Sequence, residues 1–234
     1  MASELQEPQD LGLEDDTVHV LVIDRPSEAT INEAIDMFCA AFANDPPARA
    51  FTGGNPELMH DLGRAVLSPL RGSARLYAAT DAEGELVGAS FWTPPGKPDR
   101  EAGLQRESAL QEFLGKLPED TAAHVGTVLG KMVPKLFDEA VGMGEAEVHC
   151  YECDMLIVRP DHQGHGIARK MFEFATHQAD AMNAKMLLWT GRDVNVKVYE
   201  KLGMTLRSST DIKEPTGEDW TLHVLMREPV AGSP

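Results

Sequence analysis

The segment with the clearest chemical signal joins an apolar run to an amphipathic helix through two glycines. Residues 155–158, Met-Leu-Ile-Val, predict a buried strand, and Pro160 ends it because proline cannot donate to a strand ladder. From Ile167 onwards, apolar residues recur at helical spacing. Between these elements, Gly164 and Gly166 permit a turn whose backbone N–H groups converge at the positive end of the helix. Such a junction favours a bound anion.

Two common nucleotide-binding motifs do not fit this segment. A P-loop requires Gly-Lys-Ser/Thr after its turn, whereas Gly166 is followed by Ile167, Ala168 and Arg169. A dinucleotide fingerprint requires a third glycine and an acidic residue about twenty positions further on, where Ala184 stands instead. The anion is therefore not predicted to belong to a nucleoside triphosphate or to NAD.

Two carboxylates in the preceding strand are candidates for acid–base chemistry. Strict alternation over the predicted strand 147–158 places Glu152 and Asp154 on one face, together with Leu156 and Val158. Carboxylates in a buried strand are costly unless they are hydrated or paired. Their mutual repulsion would raise at least one pKa toward the range that a general base needs, unless one of them pairs with a basic side chain.

The glycine segment, written Gln163-x-x-Gly166-x-Ala168, resembles the pyrophosphate-binding pattern Gln/Arg-x-x-Gly-x-Gly/Ala of the GNAT acetyltransferases. Later in the chain, residues 195–204 read Asn-Val-Lys-Val-Tyr-Glu-Lys-Leu-Gly-Met. This segment is similar to the family's Asn-x-x-x-Tyr-Glu-Lys-x-Gly-Phe helix, with Met204 in place of the usual phenylalanine. The two patterns occur in the family's order, so the chain resembles a GNAT N-acetyltransferase.

The resemblance implies a GNAT fold, an α/β (α+β) fold with a mixed, mostly antiparallel sheet of about seven strands flanked by helices. Alternation and turn signals predict strands over 18–23, 75–80, 86–93, 147–158, 185–190, 205–212 and 219–226. Helical spacing predicts helices from Ser27 to a stop at Asp45-Pro46-Pro47, over 56–70, over 164–183 and before Gly203.

One domain, residues 17–228, is predicted to follow a disordered acidic leader, residues 1–16, and to precede a flexible tail, residues 229–234. Residues 99–145 depart from a minimal acetyltransferase and predict a helical insertion between strands 3 and 4. The insertion is interpreted either as a lid over the acceptor site or as a cover for the sheet only.

The resemblance also implies a cofactor, acetyl-CoA (coenzyme A), whose pantetheine arm would lie between strands 4 and 5. The residues that it assigns to cofactor binding are Leu156, Ile157, Val158, Gln163, Gly164, His165, Gly166, Ile167, Ala168, Arg169 and Asn195. The first helix and the loop after it would border the acceptor through Phe38, Phe42, Asn44 and Asp45.

The catalytic roles implied by the resemblance fall on three residues. Tyr199 stands where the family places the tyrosine that protonates the departing thiolate, and a phenol of ordinary pKa about 10 is protonated at neutral pH. The alternative for Tyr199 is an aromatic side chain that only packs on the sheet. Glu152 and Asp154 are the predicted base for the acceptor amine, with His149 and Glu147 as further candidates.

Composition narrows the classes of partner. A formal net charge of −17 without a Lys/Arg cluster disfavours nucleic-acid binding. The negative charge is interpreted either as a field that attracts a cationic substrate or as a feature that provides solubility only. The three cysteines are too few for a disulfide framework, and the lone C-x-x-C of Cys150 and Cys153 predicts no metal site. No stretch is apolar enough for a membrane span, so a cytoplasmic protein is expected.

The sequence thus predicts an acetyl-CoA-dependent N-acetyltransferase that moves an acetyl group to a primary amine of a small molecule, by direct attack in a ternary complex. Two interpretations stay open beside it, a non-catalytic acyl-CoA-binding sensor or scaffold and a protein lysine or N-terminal acetyltransferase. A closed acceptor site would favour a small molecule over a protein. The acceptor, the acyl preference and the oligomeric state are left undetermined.

Overall fold

The computed structural model describes residues 18–72, 74–97, 100–215 and 217–230. The predicted leader, and residues 231–234 of the predicted tail, lie outside the described residues. Within the described ranges, no helix is long and apolar enough to cross a membrane.

A mixed sheet of seven strands organises the described part of the chain, in the order β1-β2-β3-β4-β5-β7-β6. All neighbouring strands are antiparallel except β4 and β5, which are parallel. The strands are β1 (His19–Ile23), β2 (Arg75–Thr80), β3 (Leu86–Thr93), β4 (Tyr151–Val158), β5 (Met186–Thr190), β6 (Thr205–Ile212) and β7 (Trp220–Arg227).

Helices cover both faces of the sheet, and four of them form the insertion between β3 and β4. Before the insertion lie α1 (Glu28–Phe42), α2 (Pro46–Phe51) and α3 (Met59–Val66). The insertion contains α4 (Arg100–Leu114), α5 (Glu119–Thr127), a π-helix (Val128–Met132), α6 (Val133–Val141) and α7 (Ala146–His149). After β4 come α8 (Ile167–Ala181) and α9 (Asp193–Lys201). The predicted fold class, with its helical insertion between strands 3 and 4, is confirmed.

Each face of the sheet has its own hydrophobic core. On one face α1 buries Ile35 and Phe38, which recur at helical spacing, in the hydrophobic core that also contains the insertion residue Phe137. On the other face α8 buries Met171 and Phe172 against the sheet. The amphipathic patterns of the sequence therefore fix which side of each helix meets the sheet.

Helix α2 was not predicted, although its start has a recognisable signal. Asp45 ends the first helical region, and its carboxylate Oδ1 accepts the backbone N–H of Ala48 at 3.2 Å. Pro46 then occupies the first helical position, where a missing N–H has no cost. Asp-Pro-Pro is thus both the stop that was predicted and the start of a new helix.

The predicted start of the fourth strand at residue 147 was wrong. Residues Ala146–His149 form the helical turn α7, and β4 begins only at Tyr151. The carboxylate of Asp138 accepts the backbone N–H of Ala146 at 2.8 Å and so caps this turn. Because Asp138 belongs to the end of α6, alternation within the strand could not indicate it.

A partly buried ion pair joins α8 to the last strand and predicts a stability effect. Asp180 Oδ1 and Oδ2 accept two N–H groups of Arg227 at 2.7 and 2.9 Å, and Oδ1 also accepts the Val230 N–H at 2.8 Å. Removing one partner leaves a partly buried charge unpaired, so Asp180→Ala is expected to lower the free energy of unfolding by about 2 kcal/mol. Urea denaturation at pH 7 measures this difference.

The matched control is Asp36→Ala, which removes an exposed pair with His60 and is expected to cost less than about 1 kcal/mol. The hydrogen bonds from Arg227 lower the pKa of Asp180. Its stabilisation is therefore present above its unfolded pKa of about 3.9 and is lost as the pH falls through the lowered value. Equal stability of the two variants at pH 7 would contradict this assignment.

Candidate active site

Strands β4 and β5 are paired along only part of their length. Tyr151 pairs with Met186 and Glu152 with Leu187, whereas β4 continues to Val158. Beyond Glu152, β4 has no strand partner on its β5 side within the described residues. We call this opening the β4–β5 gap. A strand edge of this kind can bond an extended chain as an additional strand, so the gap suits a pantetheine arm.

A β-bulge places two carboxylates beside this gap. Cys153 and Met155 pair with adjacent residues of β3, so Asp154 between them is the extra residue of the bulge. As a result Glu152, Asp154 and Met155 all line one cavity. Thus both predicted base candidates lie together, at the position where β4 leaves β5.

The bulge also overturns part of the predicted alternation. Leu156 and Val158 were expected on the face of Glu152, but they pack against the opposite core, beneath α8. Ile157 lies in the core on the Glu152 side instead. One inserted residue moves the side chain of every later residue of the strand to the other face of the sheet.

The cavity beside the carboxylates has a volume of about 350 Å³. The first helices and β5 contribute four aromatic side chains to its wall, namely Phe38, Phe42, Phe51 and Trp189. The insertion supplies further wall residues, namely Arg106, Leu110, Leu129, Gly130, Val133, Pro134 and Glu147. The insertion therefore borders the cavity as well as covering the sheet. We call this space the acceptor cavity.

Burial raises the pKa of Glu152 well above its ordinary value, and the charges of Asp154 and Glu147 raise it further. Burial also raises the pKa values of Asp154 and Glu147, while the guanidinium of Arg106 offsets part of each shift. Thr93 Oγ1 donates to Asp154 Oδ2 at 2.6 Å and favours the ionised form of that carboxyl group. Glu152 is thus the group shifted most strongly toward the range of a general base.

Of the other acceptor-site candidates, some line the cavity and some do not. Phe38, Phe42 and Asp45 contribute to its wall. Asn44 is exposed and lines a separate pocket, and His149 is exposed on α7 outside the cavity wall. Since α7 replaces the predicted strand at residue 149, the side chain of His149 does not follow the alternation of β4.

At the other end of the gap, the glycine segment forms the predicted strand-to-helix turn. Gly164 and Gly166 have φ values of +83° and +79°, and Gly166 immediately precedes α8. The amides of residues 164–169 make no backbone hydrogen bond within the described part of the chain. These free donors, together with the helix dipole, suit a diphosphate.

The side chains of this segment are largely exposed. Gln163 Nε2 donates to the Val158 carbonyl at 3.2 Å and so ties the turn to the end of β4. The ring Nδ1 of His165 lies 3.3 Å from the His162 carbonyl. Arg169 is exposed on the first turn of α8, while Ile167 is buried and Ala168 half-buried. The backbone of this turn, more than its side chains, is therefore available to a ligand.

The conformation of Gly166 predicts a selective effect on donor binding. A side chain at positive φ costs about 1–2 kcal/mol, and no other atom crowds this position. Gly166→Ala is expected to raise the KM for acetyl-CoA roughly tenfold, since the strained turn would lose its alignment of amides. Initial rates at varied acetyl-CoA concentration measure this effect.

Gly84→Ala is the matched control for this change. Gly84 has a φ of +85° in the hairpin turn between β2 and β3, also without a nearby atom. Gly84→Ala is expected to have the same backbone penalty but to keep the wild-type KM for acetyl-CoA. Equal KM values for Gly166→Ala and wild type would contradict a role for the turn in binding the donor.

Tyr199 lies on the opposite side of the sheet from the carboxylates. It is part of α9 and is buried in the same core as α8, with its ring centroid 6.0 Å from that of Phe172. Burial raises its pKa, and the neighbouring Cys153 acts in the same direction. One turn earlier, Asn195 Nδ2 donates to Thr190 Oγ1 at 3.1 Å at the end of β5. The acid and base candidates can therefore meet only through the β4–β5 gap.

Two contributors to this arrangement were not identified in the sequence. Arg106 occupies an exposed position on α4, and only the packing of the insertion brings it to the cavity. Trp189 lies within the predicted strand 185–190 and forms part of the cavity wall. The alternation of β5 carried a usable signal for Trp189, whereas nothing local indicated Arg106.

Comparisons with known proteins agree with this geometry. The family model described as "Acetyltransferase (GNAT) family" matches residues 85–204, just over half of the chain. No curated protein matches the sequence significantly. The matched range includes β4, the glycine turn, and α9 with Asn195 and Tyr199.

Solved structures show the same fold at low sequence identity. A structure titled as histone acetyltransferase HPA2 and related acetyltransferase, from Corynebacterium glutamicum, has 16% identity and a TM-score of 0.58, covering 93% of this chain and 99% of its own. Polyamine N-acetyltransferase of Drosophila melanogaster has 14% identity and a TM-score of 0.58, with coverages of 89% and 99%. Arylalkylamine N-acetyltransferase 2 of Aedes aegypti has 16% identity and a TM-score of 0.55, with coverages of 90% and 98%. The chain therefore belongs to the GNAT family of acetyltransferases, and acetyl-CoA is its acetyl donor.

Proposed function

We propose that the protein acetylates a primary amine of a small molecule, by direct attack of the amine on acetyl-CoA in a ternary complex. The observation that carries this proposal is the acceptor cavity, which places Glu152 and Asp154 beside the β4–β5 gap. The cavity walls come from α1, α2 and the insertion, so the acceptor would be surrounded on several sides. Such a site favours a small molecule over a lysine on a folded protein.

The proposed roles follow from the two sides of the gap. Glu152 would remove the proton from the ammonium group, with Asp154 raising its proton affinity by like-charge repulsion. Tyr199, on the other side, would give a proton to the thiolate as the C–N bond forms and the C–S bond breaks. The second proton that the nitrogen loses on becoming an amide would pass to solvent, and solvent would reprotonate Tyr199. The amides of residues 164–169 and the free edge of β4 would hold the diphosphate and pantetheine portions of the donor.

The names of two structural neighbours support this class of acceptor. Arylalkylamine and polyamine N-acetyltransferases share the fold, and their names state that each acts on a small amine. The aromatic side chains and the carboxylates of the acceptor cavity are the groups expected to bind an ammonium ion attached to an apolar body. We also propose a reducing compartment such as the cytosol, because Cys39, Cys150 and Cys153 are free thiols.

The proposal is tested by thiol release from acetyl-CoA in a panel of acceptors. The panel contains arylalkylamines, polyamines, aminoglycosides, amino acids and basic peptides. Saturable turnover with one small-molecule class, and an acetylated amine detected by mass spectrometry, would support the proposal. Turnover confined to peptides would indicate a protein acetyltransferase and contradict it.

A further inference from the structure

Arg106 is the one basic residue among those that line the acceptor cavity in the described chain. It lies on α4, one turn before Leu110, which lines the same cavity. Its side chain is exposed, and within the described residues its guanidinium makes no ion pair or hydrogen bond. A cation whose donors have no partner among the described residues therefore borders a cavity whose other lining residues are acidic or apolar.

The charge of Arg106 nevertheless reaches the carboxylates of the cavity. Arg106 lines the same cavity as Glu147, Glu152 and Asp154, and no ion pair joins it to them within the described residues. Its charge acts against the effect of burial on the pKa of each of these carboxyl groups. A guanidinium in the wall of the cavity would repel an acceptor that carried only positive charge. A wall that served only ammonium groups would be better formed by an apolar or acidic residue at this position.

The charges and the apolar surface together describe a particular kind of acceptor. The acidic end, at Glu152 and Asp154, suits an ammonium group, and the guanidinium of Arg106 suits a carboxylate that accepts two parallel hydrogen bonds. Phe51 and Trp189 offer a surface for an apolar or aromatic side chain. An amino acid carries these three groups on one carbon atom.

We propose that Arg106 binds a carboxylate of the acceptor, so that the acceptor is an amino acid with an apolar or aromatic side chain. This inference rests on the proposed function of the same site, the acetylation of a small primary amine. Arg106 then makes the enzyme selective for amino acids over the corresponding amines. Glu152 deprotonates the amino group of both kinds of acceptor.

The test uses pairs of acceptors that differ only in the carboxylate, namely phenylalanine with phenethylamine, tryptophan with tryptamine, and leucine with isoamylamine. For wild type, kcat/KM for the amino acid is expected to exceed that for the amine at least about tenfold in a preferred pair. Arg106→Gln is expected to lower this ratio by about tenfold or more, through a higher KM for the amino acid. Arg106→Lys should restore part of the ratio, since it keeps a point charge without the bidentate geometry.

The ratio within a pair cancels any effect of Arg106 on the pKa of the base, because both acceptors use the same carboxylates. Arg100→Gln is the matched control, since Arg100 begins the same helix outside the cavity wall, and it should leave the ratio unchanged. Turnover of both members with a ratio that Arg106→Gln does not change would overturn this inference alone. Absence of turnover for every acceptor, despite saturable acetyl-CoA binding, would overturn the proposed function as well.

Discussion

Tyr199→Phe is expected to lower kcat about a hundredfold or more, while the Kd for acetyl-CoA stays close to the wild-type value. The substitution removes only the hydroxyl, and the ring keeps its packing against Phe172. Burial raises the pKa of Tyr199, so the phenol keeps its proton through the neutral range and is available to the leaving thiolate. Thiol release measures the loss of transfer, and calorimetry measures donor binding.

Tyr77→Phe provides the matched control. Tyr77 is buried on the same side of the sheet, and its hydroxyl lies 2.6 Å from that of Tyr151. Losing this hydrogen bond is expected to cost about 1 kcal/mol of stability without lowering kcat. If Tyr199→Phe retained wild-type kcat, the tyrosine would be only a packing residue, as the alternative interpretation of the sequence holds.

Glu152→Gln is expected to lower kcat/KM about a hundredfold, because the amide cannot take the proton of the acceptor amine. In wild type, the raised pKa of Glu152 means that the rate should increase as the pH rises through that value and the base becomes ionised. The variant should lose this limb of the pH–rate profile. Initial rates of thiol release between pH 5 and pH 9 record both effects.

Glu152→Gln is expected to increase the stability of the folded protein, although it lowers its activity. The pKa of Glu152 is raised on folding, so the carboxyl group stabilises the folded state below its unfolded pKa of about 4.3 and loses that contribution as the pH rises through its folded pKa. Above that value Glu152→Gln should have the higher free energy of unfolding. A variant that was both inactive and less stable at pH 8 would indicate a structural role instead.

Asp154→Asn separates the two carboxylates. Asp154 accepts the Thr93 hydroxyl, which favours the ionised form of Asp154 against the effect of burial, and its charge raises the pKa of Glu152. Its loss is expected to reduce kcat/KM less than the loss of Glu152 and to shift the rising limb of the profile to lower pH. The reverse order of effects would assign the base to Asp154. Exposed Glu139 on α6, changed to Gln, is the control for both variants.

The fold was largely predictable because most of its signals are local. Strands β2 and β3 begin and end where alternation and the turn at Gly84 predict, and α9 ends before Gly203 at positive φ. The glycine turn was predictable for the same reason, since Gly164 and Gly166 have the backbone conformation that only glycine adopts easily.

The parts that could not be predicted depend on contacts between distant segments. The bulge at Asp154 exists only in the pairing of β4 with β3, and it decides which residues share a face with Glu152. Helix α7 depends on a cap from Asp138, and the place of Arg106 depends on how the insertion packs. The spacing of residue types within one segment of the sequence cannot predict these contacts.

Steady-state kinetics with both substrates varied is the most direct test of transfer through the β4–β5 gap. Direct attack requires acetyl-CoA and the amine to be bound together, between Tyr199 on one side and Glu152 on the other. Double-reciprocal plots of initial rate should then give intersecting lines, and the acetylated amine should form without an acetylated protein intermediate. Parallel lines with a trapped acetyl-enzyme would show that the acetyl group passes first to the protein, and would contradict direct transfer.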